Sequence, residues 1–201
     1  QAVRVAEAVM AATELKAADD LRKAEGKVFM RAQAHLALNK VAGHTVAEVG
    51  GMPFRPAVDG EVLPDYPIHA VRGGATRHIP IMTGTTTEEW KLFGLVDPGI
   101  GRFDEVDLHA RLARVLPADA PRPADAAREF RRALGGRSAA RSARGVWSAF
   151  QTSRVFHLPS ASLAEAQHEG GGPAHSYLIT WRAQALRRAL GACHAIEIPF
   201  V

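Results

Sequence analysis

The sequence predicts an α/β chain in which two short strands, far apart in sequence, are neighbours in one parallel or mixed sheet with a largely helical insert between them. Three observations carry this. First, His78-Ile-Pro-Ile-Met-Thr83 and Ala174-His-Ser-Tyr-Leu-Ile-Thr-Trp181 are apolar runs, as expected of strands covered on both faces. Second, about 85 residues of mostly helical pattern lie between them, which excludes a hairpin and requires a crossover. Third, an apolar share of 47% with 23% charged residues describes a globular chain, not a disordered one. Two strands are marginal as a sheet in water, so further strands are expected from outside these residues.

The elements follow in order. Residues 2–23 and 27–38 have helical composition and spacing, with Gly26 as the break between them. Residues 50–68 are turn-rich, punctuated by Gly50-Gly51, Pro53, Pro56, Asp59-Gly60, Pro64 and Pro67. The strand at 78–83 closes on Gly84. Residues 104–115, 124–134 and 139–151 form three helices, separated by Pro117, Pro121, Pro123 and Gly135-Gly136. Residues 160–168 form a further helix, stopped by Gly170-Gly171-Gly172, before the strand at 174–181 and a short helical turn. We assign one domain portion, with a helical segment over 1–50 and the loops of interest, with their helical insert, over 51–201.

Composition narrows the function classes. No window holds the roughly 18 uninterrupted apolar residues of a membrane span, so no membrane partner is expected. Gln1-Ala-Val-Arg lacks the basic-then-apolar pattern of a signal peptide. The single cysteine, Cys193, excludes an internal disulfide and favours a reducing, cytoplasmic location. The net charge of +4 is concentrated in residues 101–150, where Arg102, Arg111, Arg114, Arg122, Arg128, Arg131, Arg132, Arg137, Arg141 and Arg144 face six acids. A basic helical nucleic-acid binder is one reading of that stripe. The arginines have no interleaved aromatic platform and no zinc, RNP or GXXG pattern accompanies them. Solvated helix faces are the preferred reading, with no nucleic-acid partner.

The chemistry concentrates in two loops. In open α/β sheets functional groups gather just beyond the carboxyl ends of the strands. Glu89, in Gly84-Thr-Thr-Thr-Glu-Glu-Trp-Lys-Leu-Phe93, and His194, in Gly191-Ala-Cys-His-Ala-Ile-Glu-Ile-Pro-Phe-Val201, both fall in such positions. A carboxylate accepting from one imidazole nitrogen fixes the tautomer while the other nitrogen takes a proton from a nucleophile. Against this stands the reading of His194 as a structural histidine and of Glu88-Glu89 as an acid pair at a helix N-terminus. Cys193 adjoins His194, but nothing in the sequence activates it and small-residue packing is preferred.

These segments resemble one family in order. Pro53-Phe-Arg-Pro-Ala-Val-Asp-Gly-Glu-Val-Leu-Pro64 is similar to the stretch preceding the acid strand of type B carboxylesterases, the esterase and lipase family that includes the cholinesterases. Ile79 to Phe93 resembles its acid segment in bacterial form, Phe156-His-Leu-Pro-Ser-Ala-Ser-Leu-Ala-Glu-Ala-Gln167 the helix before the last strand, and Gly191 to Val201 the histidine segment. Residues 1–50 are compatible with the helices that follow the nucleophile. The resemblance implies a partial α/β-hydrolase fold holding late strands of the central sheet. It implies Glu89 as the triad acid and His194 as the general base of a serine carboxylic-ester hydrolase. Glu88 becomes the neighbour of the acid, not the orienter, and Glu197 a support of the loop. Met52, Phe54, Leu92 and Phe93 become apolar substrate contacts, with core packing the competing reading. No metal and no organic cofactor is implied; the implied partners are a small carboxylic ester and the remainder of the same hydrolase fold.

The departures matter as well. A hydrolase of this fold needs G-x-S-x-G at a strand-to-helix turn and an oxyanion loop, and neither motif occurs in these 201 residues. Gly136-Arg-Ser-Ala-Ala140 lacks the final glycine and a preceding strand, so Ser138 receives no role. The chain is therefore expected to be an interior-to-late portion of an esterase, inactive alone. The alternative is a non-catalytic interaction protein on the same scaffold, which has no need of the Glu89 and His194 pair.

Overall fold

The computed structural model describes residues 2–13, 15–38, 56–95, 97, 99–184 and 190–200. The chain divides into two units, Gln1–Tyr66 and Pro67–Val201. In the first, α1 (Ala2–Thr13), α2 (Ala18–Lys23) and α3 (Gly26–Leu38) are separate helices. The single helix expected over 2–23 is thus broken. The Asp20 carboxylate accepts from the backbone N–H of Ala17 at 3.0 Å and of Lys16 at 3.3 Å, a cap that starts a new helix and ends the old one. Ala8, Val9 and Ala32 form its small core. Residues 56–66 contain neither helix nor strand, and Asp59 closes a turn by accepting from Glu61 and Leu63 N–H at 3.0 and 2.8 Å.

The second unit opens with α4 (Pro67–Arg72), unforeseen in the turn-rich stretch, and holds β1 (Ile81–Thr86) and β2 (Ala174–Ile179). The strands are parallel neighbours, paired from Ile81 with Ala174 to Thr86 with Ile179, as the long separation requires. β1 starts three residues later than expected, because Pro80 has no N–H for the ladder. It also runs through Gly84 instead of ending there. Gly84 lies opposite Tyr177, and a Cβ on it would sit 2.4 Å from that ring; the glycine marks a close approach inside the strand.

Between the strands run α5 (Trp90–Leu95), α6 (Glu105–Val115), α7 (Pro123–Leu134), α8 (Ala143–Thr152) and α9 (Leu158–Glu169). Capping explains several boundaries. Asp104 and Asp107 exchange side-chain and backbone hydrogen bonds at 3.0 and 3.2 Å, Pro123 opens α7, and Ser142 Oγ accepts from Gly145 N–H at 3.1 Å. The helix expected over 139–151 is accordingly a 3-10 turn, Ser138–Arg141, followed by α8. Leu108, Leu112, Ala127, Leu134, Val146 and Trp147 make the core of this insert. Arg111 lies over Phe103 and Trp147 at 4.9 and 5.6 Å and pairs with Asp97.

Helix α9 packs on both strands. Gln167, fully buried, donates from Nε2 to the carbonyls of Thr76 and Ile79 at 3.0 and 2.8 Å and accepts from Thr76 Oγ1 at 2.6 Å, tying the helix to the approach of β1. Among the described residues the sheet is not covered on both faces: Met82, Tyr177 and Leu178 are exposed at 72%, 45% and 55%. The short helical turn expected between Trp181 and Gly191 lies largely outside the described residues, since 185–189 are not described.

Candidate active site

Glu89 lies in the turn 87–89 that ends β1, just before α5. Its side chain is buried, 4% exposed, and both oxygens are engaged. Oε1 accepts from the backbone N–H of Thr86 at 2.6 Å, and Oε2 faces His194 Nδ1 at 2.7 Å. An ionised carboxylate is acceptor-only, so this contact places the imidazole proton on Nδ1 and leaves Nε2 as the acceptor. The backbone agrees: His194 N–H donates to the Glu89 carbonyl at 3.3 Å.

The ring of His194 is held by aromatic neighbours as well. Phe93 lies 5.3 Å and Phe156 5.1 Å from it between centroids, the two phenyl rings stacking on each other at 5.8 Å. The imidazole thus meets a buried carboxylate at Nδ1 and two tilted phenyl rings beside it, yet its side chain stays 43% exposed. These contacts restrict rotation of the ring about its side-chain bonds.

The helical insert delivers Phe156 through a local irregularity. Residues Ser153–His157 form a π turn between α8 and α9, with Leu158 N–H bonding the Ser153 carbonyl. Pro159 cannot supply the N–H that an α-helix would offer to Val155, which favours the wider turn. His157, the last residue of that turn, places Nε2 2.9 Å from the carbonyl of Thr86. Thr152, at the end of α8, accepts from the backbone N–H of Trp90 at 3.0 Å through Oγ1. The insert therefore braces the acid turn from both ends of the irregular stretch.

Other sequence assignments distribute as follows. Phe93, not Leu92, belongs to the ring stack on His194, and Leu92 is exposed at 36%. Met52 and Phe54 lie outside the described residues. Glu197 Oε2 is buried with no hydrogen-bond partner among the described residues. Cys193 is buried, and burial pushes its thiol up from the ordinary value, against any role as a nucleophile. Phe156 and His157 received no role from the sequence; the Pro159 that follows them is the available signal, because a proline inside a helical run must perturb the preceding turn. Ala195, immediately after the histidine, has φ +62°, a left-handed conformation that side chains other than glycine rarely adopt.

Of the insert's arginines, Arg122 and Arg128 pair with Asp125 at 2.9 and 2.6 Å, Arg131 with Glu105 at 2.7 Å and Arg132 with Glu129 at 2.8 Å. Much of the basic stripe is therefore matched locally by acids on the same or neighbouring helices.

Known proteins share this fold. The family model for the carboxylesterase family matches residues 2–201. The para-nitrobenzyl esterase of Bacillus subtilis strain 168 is 29% identical over 148 residues, 74% of this chain and 27% of that protein. Two crystal structures of a Geobacillus stearothermophilus carboxylesterase, at pH 6.2 and pH 6.8, superpose with TM-scores of 0.72 and 0.68 at 28% and 26% identity. They match 99% and 98% of this chain and 37% and 36% of their own. The chain thus spans only about a quarter to two fifths of the length of these relatives. Its parallel strands and helical insert are part of an α/β-hydrolase fold, and the chain belongs to the carboxylesterase family.

Proposed function

We propose that this chain supplies the acid and the general base of a serine carboxylesterase, with Glu89 as the orienting acid and His194 as the base. The observation that carries the reading is the 2.7 Å contact from Nδ1 to a carboxylate that is itself 4% exposed, in a chain of this family. A pure interaction module has no use for such a pair.

In the reaction, a serine hydroxyl contributed by the rest of the hydrolase fold attacks the ester carbonyl while Nε2 of His194 takes its proton. Collapse of the tetrahedral intermediate expels the alcohol, which recovers that proton from the imidazolium. Water repeats the sequence on the acyl-enzyme and releases the acid. Glu89 keeps the proton on Nδ1 and stabilises the imidazolium without taking the proton itself. The ring stack of Phe93 and Phe156 holds the imidazole plane, and Phe93 is the apolar substrate contact best supported by position. No cofactor is required by this chemistry.

The test is turnover of a short-chain p-nitrophenyl ester by the longest polypeptide that carries this chain. His194→Ala is expected to lower kcat by about 10⁴–10⁶-fold, and Glu89→Gln by about 10⁴-fold, the scale for triad members. Full activity in His194→Ala would remove the assignment. The 201 residues alone are expected to show no hydrolysis above buffer.

A further inference from the structure

We infer that Glu88 is a positioning residue for the histidine loop: its carboxylate anchors the backbone at Ala192, and Gly191 is glycine so that the carboxylate can reach it. This rests on the reading of His194 as general base. The two adjacent acids hold the same loop by different means, Glu89 through the ring of His194 and Glu88 through the chain two residues before it.

The contacts are reciprocal. Glu88 N–H donates to the Ala192 carbonyl at 2.9 Å, and Ala192 N–H donates to Glu88 Oε2 at 3.0 Å. Ala192 is fully buried, so both of its backbone groups are satisfied by one residue away from water, where a lost partner is most costly. The other carboxylate oxygen, Oε1, meets Lys91 Nζ at 2.8 Å and the Arg182 guanidinium at 3.1 Å. Arg182 lies three residues past β2, and Ala183 bridges to Gly191 with Ala183 N–H donating to the Gly191 carbonyl at 2.9 Å. One carboxylate therefore joins the acid turn, the continuation of β2 and the loop that carries the base.

Gly191 shows how closely the contact is fitted. It has φ +55°, and a Cβ there would come within 2.1 Å of Glu88 Oε2 and 2.7 Å of Lys91 Nζ. A side chain at 191 would have to push aside the ends of Glu88 and Lys91, and the φ there strains any residue other than glycine as well. Partial burial pushes the Glu88 carboxyl up, but the Lys91 hydrogen bond and the Ala192 N–H outweigh it and hold the group below its ordinary value of 4.5. The residue is charged at neutral pH. With the loop backbone fixed by Glu88 and the ring edge by Glu89, the imidazole loses the freedom to tilt or slide.

The experiment compares Glu88→Ala and Gly191→Ala, made separately and together, in the ester-hydrolysing polypeptide that carries this chain. Each single variant is expected to lower kcat about 10- to 100-fold, the scale of a small misplacement of a catalytic group, with KM unchanged. The double variant should lose less than the product of the two single losses, since both disturb one contact while Gly191→Ala also strains its own backbone. The low-field proton resonance of His194 Nδ1 should broaden or disappear in each. Glu88→Ala with kcat within about twofold of wild type, alongside an inactive His194→Ala, overturns the positioning role and leaves the base assignment standing. Full activity in His194→Ala removes the base assignment instead, and an unchanged Nδ1 resonance in Glu88→Ala then overturns the anchor on its own. If Glu88→Ala does not fold, Glu88→Leu, which keeps the side-chain bulk and removes the anchor, carries the same comparison.

Discussion

At the scale of single residues, the histidine loop combines tight hydrogen bonding with one strained backbone. Ala195 adopts φ +62° directly after His194, a conformation costing about 1–2 kcal/mol for an L-residue with a Cβ. Such strain persists only where its surroundings fix it, and it concentrates at functional sites. Ala195→Gly is expected to raise stability by about 0.5–1 kcal/mol in urea unfolding, glycine's own entropy cost taking back part of the relief. Cys193 gives a second check. Its thiol is 3% exposed and pushed up by burial, so iodoacetamide should label it at neutral pH only after denaturation.

At the scale of elements, the outcome depends on helix chemistry. Helices α6 and α7 are legible because Asp104, Pro123 and the Leu108 and Leu112 spacing obey local rules, whereas α5 is not foreseen. Leu112→Ala, in a core position that is 1% exposed, is expected to cost about 2–5 kcal/mol in a denaturant titration. The candidate pair was legible too, since Glu89 and His194 each follow a strand and the family segments resemble its acid and histidine loops. What sequence did not give is set by long-range contacts. The ends of β1 depend on Pro80 and on the Tyr177 ring opposite Gly84. The placing of Phe156 against His194 depends on a π turn, and the value of Glu88 on a backbone 104 positions away. A local pattern of residues carries none of this.

At the scale of the whole molecule, charge pairs set the acid limit. Arg111 beside Asp97 holds that carboxyl below its ordinary value of 3.8 despite partial burial, and Glu88 is likewise held below 4.5. A folded-state value below the unfolded one means the contribution to stability is complete above the ordinary value and is lost as pH falls through the folded one. The urea midpoint should therefore fall as pH drops below about 4.5, and Asp97→Asn should flatten that dependence. The pair is about three-quarters or more shielded from water, with side chains 27% and 19% exposed, so moderate salt should reduce the effect only in part.

The two partners of the proposed relay are separated by 105 positions, and most of that separation is helical insert. Drawing the ends of a long segment together costs entropy that grows only with the logarithm of its length, about 0.6 kcal/mol for each doubling. Once the parallel ladder has closed the circuit, lengthening or trimming surface turns such as that between α6 and α7 barely changes the energy of the contact. The insert is therefore the part of this architecture where natural or engineered variation in size is cheapest, and the geometry of proton transfer can stay constant while the wall around it is rebuilt.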